Sequence, residues 1–149
     1  MAPFRHWLGD QRLWGIRRKS VLPAVALGTF VAFLPIPGHV LTAVLGSLLV
    51  RANIPVAALM TFISNPLTMA PMYYFCYRVG AKLLGIEPGP FAIELSYDWM
   101  TGMLLSIWQP LLLGCALVGA VAALIAYVLL DVLWRFSLAD YKAQRKSQG

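Results

Sequence analysis

A short polar segment, Ser64-Asn65-Pro66-Leu67-Thr68, interrupts a long apolar stretch of this sequence. Pro66 has no backbone N–H to donate, and in hydrocarbon every backbone N–H and C=O needs an internal partner. The freed carbonyls, the Asn65 amide and the hydroxyls of Ser64 and Thr68 could form a neutral pocket for a headgroup, a phosphate or a cation. The same groups could instead satisfy the backbone that Pro66 leaves open.

A second segment of this kind lies earlier, at Leu34-Pro35-Ile36-Pro37-Gly38. Pro35 and Pro37 fix two φ angles and Gly38 permits left-handed backbone, so an apolar helix is expected to stop and restart here. His39 then begins a half-helix whose free N–H groups and positive dipole end could bind an anion. The alternative is a histidine at an interface that is hydrogen-bonded to backbone.

Arg51 is the single charged residue between Ser20 and Tyr77, and Asn53 follows it by two positions. An ionisable residue within apolar sequence is a candidate ligand for phosphate. Arg51 could equally mark the cytoplasmic end of a hairpin, with its long side chain reaching the membrane surface. These three places supply the candidate ligand-binding residues, which are Pro35, Pro37, Gly38, His39, Arg51, Asn53, Ser64, Asn65, Pro66 and Thr68.

The sequence lacks patterns typical of enzymes and metal sites. It has no glycine-rich phosphate loop, no His-Glu zinc pattern and no serine elbow, and Glu94 and Asp98 have no acid or histidine partner nearby. Cys76 and Cys115 lack the spacing of a metal site or a redox pair, so we interpret them as small buried apolar side chains. We therefore expect no catalytic activity, no cofactor and no metal.

The composition indicates a membrane protein. The 149 residues are 60% hydrophobic and 12% charged, with a mean hydropathy of +0.72, which leaves too little polar surface to coat a soluble globule. The net charge is +6, and the basic excess lies in residues 1–19 and 131–149. The positive-inside rule therefore places both termini in the cytoplasm. Tryptophans beside these charges are typical of anchors to anionic headgroups, and no recognition motif supports nucleic-acid binding.

We interpret the chain as a single membrane domain, residues 1–149. Residues 1–19 are expected to be a cytoplasmic basic segment, with a helix over residues 4–19 lying in the membrane interface. Residues 20–50 would reach about 46 Å as one straight helix, beyond a hydrocarbon core of about 30 Å, and each half is too short to cross alone. A re-entrant hairpin over residues 20–51, the first broken-helix unit, is the economical interpretation.

The second broken-helix unit, residues 54–85, repeats the first. At an offset of 32 residues, Leu22–Ala32 aligns without gaps to Ile54–Ser64, and five of eleven positions are identical. Internal repeats of this kind build many transporter folds. The rest of the chain is divided into an external loop (86–98), a C-terminal transmembrane region (99–134) and a cytoplasmic tail (135–149).

Leu111–Leu130 is the one conventional transmembrane helix, because its 20 residues carry no charge. Its small residues at four-residue spacing, such as Gly119 and Ala123, allow close helix approach, either within a bundle or in a dimer seam. With both termini inside, the number of crossings is even. Either the first unit is re-entrant and the second crosses with a kink near Pro66, or both are re-entrant and a further crossing begins at Trp99.

The predicted fold class is therefore all-α. We expect a polytopic integral membrane protein that has proline-broken, re-entrant or kinked helix-hairpin repeats and a conventional transmembrane helix. The sequence resembles a known family at Pro35 to Gly38 (Pro-Ile-Pro-Gly), Arg51 to Pro55 (Arg-Ala-Asn-Ile-Pro) and Ser64 to Pro71 (Ser-Asn-Pro-Leu-Thr-Met-Ala-Pro).

This family is the bacterial membrane family catalogued as domain of unknown function 2062. The resemblance spans about Arg17 to Gly85, and the remainder looks like the proteobacterial stand-alone branch. Arg18-Lys19-Ser20 stands where the family often has Arg-Arg-Gly. The resemblance implies a protein of the bacterial inner membrane and brings no established activity.

We expect a small inner-membrane protein, transporter-like or lipid-handling, in which the two proline breaks meet near the midplane and form a polar site. A chain this small rarely encloses a pathway alone, so a homo-oligomer is expected. Membrane lipids are the expected partners, with an anionic headgroup or polyprenyl phosphate as ligand. The alternative is a membrane scaffold or assembly partner without transport activity, whose breaks serve helix packing.

Overall fold

The computed structural model describes residues 9–87 and 97–147, and it shows helices joined by turns. No strand occurs within these two ranges, so the predicted all-α class is confirmed. The helices are α1 (Gln11–Trp14), α2 (Arg18–Phe33), α3 (His39–Val50), α4 (Ile54–Met60), α5 (Pro66–Leu84) and α6 (Tyr97–Ser147), and a 3-10 turn (Thr61–Ile63) follows α4.

The first predicted break lies between α2 and α3, as expected from its prolines. α2 ends at Phe33, and α3 begins after Gly38, whose φ of +84° is left-handed. The chain then returns along α2, because Gly46 of α3 packs on the Leu27 side chain of α2. The first broken-helix unit is therefore a helical hairpin.

The second predicted break is also present, and the helical segments on its two sides differ from those beside the first break. The helical segments Ile54–Ile63 and Pro66–Leu84 are bent by 76° at Ser64 and Asn65. α2 has 16 residues whereas α4 has seven. Pro23 lies inside α2, whereas its aligned partner Pro55 lies in the first turn of α4. Aligned residues thus occupy different helical positions in the two units.

α6 is one continuous helix of 51 residues, and this corrects the predicted bounds of the C-terminal span. The helix does not begin after Pro110, which lies inside it. It does not end at Asp131 either, and arginine side chains pair with that carboxylate. The predicted tail is thus helical as far as Ser147.

α5 packs on the first half of α6 through glycines. Gly80 of α5 faces Pro110, and Gly114 of α6 faces Cys76. A Cβ atom on either glycine would overlap the backbone of the facing helix, so this close approach requires glycine. Because residue numbers fall along α5 as they rise along α6, the two helices are antiparallel.

α2 also packs on α6, and its contacts extend further toward the C-terminal end of that helix. Gly119 faces Phe30 and Phe33, and Asp131 pairs with Arg18 at the start of α2. α2 is therefore antiparallel to α6, as α5 is. Gly119 is used for packing within this chain, which favours the bundle interpretation of the small-residue spacing over a dimer seam.

The buried side chains form two clusters, and most are small. The first cluster joins α2, α3 and α4, and the second joins α5 and α6 with Phe33 of α2 packed against it. The members are Ala24, Val31, Ala43, Ala52 and Ala57 in the first, and Cys76, Tyr77, Ala81, Leu111 and Cys115 in the second.

Large apolar side chains lie mainly on the outside. On α3, Leu41, Leu45 and Leu49 are 64%, 54% and 78% exposed. Ile107–Leu138 within α6 is long and apolar enough to span a membrane, and most of it is exposed. The bent pair of α4 and α5 passes the same length test only when it is taken as one broken span.

Two predicted segments fall largely outside the described residues. For the interfacial helix over residues 4–19, residues 1–8 are not described. The described part holds α1 and the first residues of α2, so the continuous helix predicted there is wrong from residue 15 to residue 17. For the external loop over residues 86–98, residues 88–96 lie outside, and residues 97 and 98 already belong to α6.

Candidate functional site

The first break is organised around the carbonyl of Leu34, which the helix leaves free. This oxygen accepts hydrogen bonds from the Ile36 N–H at 2.8 Å, from His39 Nε2 at 2.7 Å and from the Tyr73 hydroxyl at 3.2 Å. Because a carbonyl can only accept, His39 carries a proton on Nε2. His39 is therefore bonded to backbone, as the second of its two sequence interpretations requires.

The tip of this break is open. Ile36, Pro37 and Gly38 are exposed, and a Cβ atom added to Gly38 would meet no other atom within 4 Å. Thr42 secures the restart of the helix, since its N–H and its hydroxyl both donate to the Gly38 carbonyl, at 3.0 and 3.2 Å. Hydrogen bonds therefore hold the chain on both sides of the first break, whereas the turn at residues 36–38 is exposed.

The second break is a self-contained helix cap. Asn65 Oδ1 accepts from the N–H groups of Leu67 and Thr68, both at 3.0 Å, and Thr68 Oγ1 accepts from the Asn65 N–H at 3.0 Å. The Thr68 hydroxyl lies 2.7 Å from the Ile63 carbonyl, to which it donates, and the Ser64 hydroxyl donates to the Thr61 carbonyl. This reciprocal pattern is a capping box, which satisfies the amides at the start of α5.

Asn53 is a buried structural connector, with 2% of its surface exposed. Its Oδ1 accepts from the Val56 N–H at 3.0 Å and so caps α4, and its Nδ2 donates to the Gly15 carbonyl at 3.1 Å. Its backbone N–H donates to the Ser20 carbonyl at 3.0 Å. These bonds hold the α3–α4 junction against the start of α2.

Arg51 lies at the same end of the bundle, two residues before Asn53. It is exposed and ends α3 with φ +53° and ψ +42°, the left-handed region that favours glycine. The Ala52 N–H donates to the Ser47 carbonyl at 2.9 Å, which completes the helix end. Arg51 is the one non-glycine residue with positive φ in the described ranges.

This end also holds an ion-pair network that the sequence did not predict. Asp131 of α6 accepts from Arg18 Nε at 2.7 Å through Oδ1 and from Arg135 Nε at 2.9 Å through Oδ2. Arg18 and Asp131 are 113 residues apart, so no local pattern could have revealed the pair. The start of α2, the α3–α4 junction and Asp131 of α6 thus form a basic end of the molecule.

The structure distributes the predicted site residues over three places. Arg51 and Asn53 lie at the basic end, whereas Pro35, Pro37, Gly38 and His39 lie at the opposite end of the hairpin. The side-chain hydrogen bonds of Asn65 and Thr68 stay between residues 63 and 68. The first break reaches the second unit through Tyr73, which no sequence signal had singled out. A meeting of the two breaks in a ligand site stays a prediction.

The other side chains considered for reactivity or metal binding are the two cysteines and groups of possible metal ligands. Cys76 and Cys115 are buried free thiols in the α5–α6 contact. In the portion of the chain that the structure describes, no three His, Cys, Asp or Glu side chains form a group that could hold a metal ion.

Sequence comparison gives a family and no characterised relative. No curated protein matches the chain, and no solved structure does. The family defined by domain of unknown function 2062, described as an uncharacterized protein conserved in bacteria, matches residues 1–142. This match is longer than the predicted resemblance. The chain therefore belongs to the domain of unknown function 2062 family of bacterial proteins.

Proposed function

We propose that this protein is a multi-pass protein of the bacterial inner membrane that handles lipids, with its basic end at the cytoplasmic surface. The observation that carries the proposal is the position of charges along α6. Residues 99–130 carry none, and charged side chains lie at both ends of this stretch. Arg18, Asp131 and Arg135 lie at one end. Arg78 and Lys82 of α5 lie near the level of Pro110, on either side of Gly80, which faces that proline.

The separation of the two charged ends suits a bilayer. Pro110 and Asp131 are 21 residues apart, which is about 32 Å along a helix at 1.5 Å per residue. The hydrocarbon core of a membrane is about 30 Å thick. The exposed leucines between these levels would contact lipid tails, which removes the cost of leaving them in water.

This placement favours the first of the two predicted topologies. α2 has 16 residues and reaches about 24 Å from the basic end. α3 then returns the chain to the basic end, where Asn53 bonds to Ser20. The bent pair of α4 and α5 makes one crossing and α6 makes the other, so both ends of the protein lie on the cytoplasmic side.

The open tip of the hairpin supports a role beyond anchoring. In this placement Ile36, Pro37 and Gly38 lie within the bilayer, where irregular backbone persists only beside protein or a water-filled cavity. A homo-oligomer would supply that cover and would enclose a polar path that one chain is too small to form. A path of this kind suits the movement of a lipid headgroup.

A scaffold function is the second candidate, and one observation favours it. The side chains of Asn53, Asn65 and Thr68 all accept hydrogen bonds from backbone N–H groups at helix starts. Polar residues at the breaks then have a packing role without any ligand, as the scaffold alternative requires.

Lipid movement in proteoliposomes separates the two functions. We would reconstitute the full chain with fluorescent phosphatidylglycerol and add dithionite, which bleaches the outer leaflet. Lipid handling predicts bleaching beyond the half seen in protein-free vesicles. Bleaching that stops at half would contradict the proposal and favour the scaffold. Asn65→Leu is the companion variant, because a site at the second break predicts loss of lipid movement in a folded protein.

A further inference from the structure

We infer that Arg51, together with Arg17 and Lys19, binds the phosphate group of an anionic lipid headgroup at the basic end of the molecule. This inference rests on the membrane placement proposed above and names the ligand of one surface. Three observations support it: the backbone at Arg51, the contacts that bring the three cations to one end, and the distribution of negative charge.

The backbone at Arg51 is strained where a glycine would relax it. α3 and α5 end in the same way, with a left-handed residue followed by an N–H that donates five residues back. In α5 this residue is Gly85, with φ +68°, and the Ile86 N–H donates to Ala81. In α3 the same position holds Arg51, with φ +53°. Glycine meets the geometric need at one helix end, so the arginine at the other calls for a chemical reason.

The contacts of Asn53 bring the three cations to one end of the molecule. Its N–H donates to Ser20 and its Nδ2 donates to Gly15, so the chain segment after Arg51 lies against residues 15–20. Arg17 and Lys19 lie within that segment and are exposed, as is Arg51. Since Asn53 is buried, this arrangement is fixed by the core of the hairpin rather than by the cations themselves.

The Asp131 carboxylate at this end already forms ion pairs. Asp131 pairs with both Arg18 and Arg135. Among the carboxylates whose side chains the structure describes, none forms an ion pair with Arg17, Lys19 or Arg51. Arg17 has a neutral partner, Gln11 Oε1, at 3.4 Å. Three exposed cations without an acidic partner beside an apolar bundle are the arrangement that attracts anionic headgroups.

The favourable interaction between an arginine and the negative end of α3 is a competing explanation for Arg51. That interaction is internal to the protein and does not depend on the lipid. A phosphate site, in contrast, makes lipid affinity depend on Arg51. The test therefore compares lipids of different charge on otherwise matched proteins.

The experiment measures lipid binding to the purified full chain in detergent by native mass spectrometry. The probes are dioleoyl phosphatidylglycerol, dioleoyl phosphatidylcholine and inorganic phosphate. We expect wild-type protein to prefer phosphatidylglycerol over phosphatidylcholine. Arg51→Gly should reduce affinity for phosphatidylglycerol about fivefold, the effect of one basic residue at a membrane surface. It should reduce affinity for phosphatidylcholine by less, because the choline cation balances the phosphate of that lipid. Arg51→Lys, which keeps the charge, should retain most of the preference.

Arg78→Gln is the matched control, because Arg78 is an exposed arginine at the other charged end, where it bonds to Tyr74. This variant should bind phosphatidylglycerol as wild type does. An equal loss in Arg51→Gly and Arg78→Gln would overturn the site, as would inorganic phosphate binding as tightly as the lipid. Absence of any preference in a protein that still moves lipid in vesicles would overturn the site alone. Absence of both would overturn the proposed function with it.

Discussion

The two broken-helix units satisfy the backbone groups at their breaks with different hydrogen bonds. In the first unit, the free carbonyl of Leu34 accepts from Ile36, from His39 and from Tyr73 of α5. In the second unit, Asn65 and Thr68 satisfy each other's backbone and involve no other helix. The first break is therefore part of the tertiary structure, and the second is a local cap.

This difference indicates where each unit can change shape. A local cap does not depend on the positions of neighbouring helices, so the start of α5 should keep its bonds when other helices move. The first break depends on Tyr73, which lies 39 residues from Leu34. Any movement of α2 against α5 would therefore break that bond first.

The largest effect should come from removing the local cap. Asn65→Ala leaves the N–H groups of Leu67 and Thr68 without their acceptor, and loss of a cap costs about 0.5–2 kcal/mol. Asn65→Asp keeps the acceptor and should remain near wild type. Thermal unfolding in detergent micelles measures both. Equal stability of Asn65→Ala and wild type would show that the cap is dispensable and that the two breaks do not differ as described.

A smaller effect is expected from Tyr73→Phe, which deletes the hydroxyl that links the first break to α5. One neutral hydrogen bond contributes about 0.5–1.5 kcal/mol. Its combination with Asn65→Ala should be additive within about 0.5 kcal/mol, because the two sites share no hydrogen-bond partner. A coupling above about 1 kcal/mol between these two variants would mean that the breaks act as one unit.

The smallest effect on stability is expected at the end of α3. Arg51→Gly relieves left-handed backbone worth about 1–2 kcal/mol. It also raises the entropy of the unfolded chain, which costs about 0.4–1 kcal/mol, and loses an interaction with the helix dipole worth about 0.3–1 kcal/mol. The net change in unfolding free energy should therefore be close to zero. Gly85→Ala, the matched change at the end of α5, introduces strain without a charge and should destabilise by about 1 kcal/mol.

Chemical denaturation of these two variants under identical conditions makes the comparison. If Arg51→Gly proves much less stable than Gly85→Ala, then Arg51 has a structural role and the strain argument for a ligand fails. If Arg51→Gly matches wild type, the side chain is free to serve another purpose.

Local chemistry made part of this fold predictable. Pro35, Pro37 and Gly38 end one helix and start the next wherever they occur, so the first break could be located from sequence. Asn65 and Pro66 likewise mark a helix start, although the sequence left open whether their polar groups bind a ligand or the backbone. The capping box shows that these polar groups bond to the backbone at the start of α5.

Contacts between distant residues were not predictable in the same way. Arg18 meets Asp131 and Leu34 meets Tyr73 only because α2 and α5 both pack on α6, and no short pattern encodes that arrangement. The sequence predicts a shorter α6, because a proline such as Pro110 usually marks a helix boundary. In the structure, the flanking turns continue the helix through it.

The central claim is that α2 and α3 enter and leave the membrane at the same surface, and cysteine labelling from one side of the cell tests it most directly. In a Cys76→Ala, Cys115→Ala background, single cysteines at Gln11 and Val50 would be probed in intact cells and in inverted vesicles. Both are exposed positions at the basic end. The hairpin predicts that a membrane-impermeant maleimide labels both only in inverted vesicles. Labelling of Gln11→Cys from one side and Val50→Cys from the other would mean that α2 and α3 form a single crossing, which contradicts the hairpin.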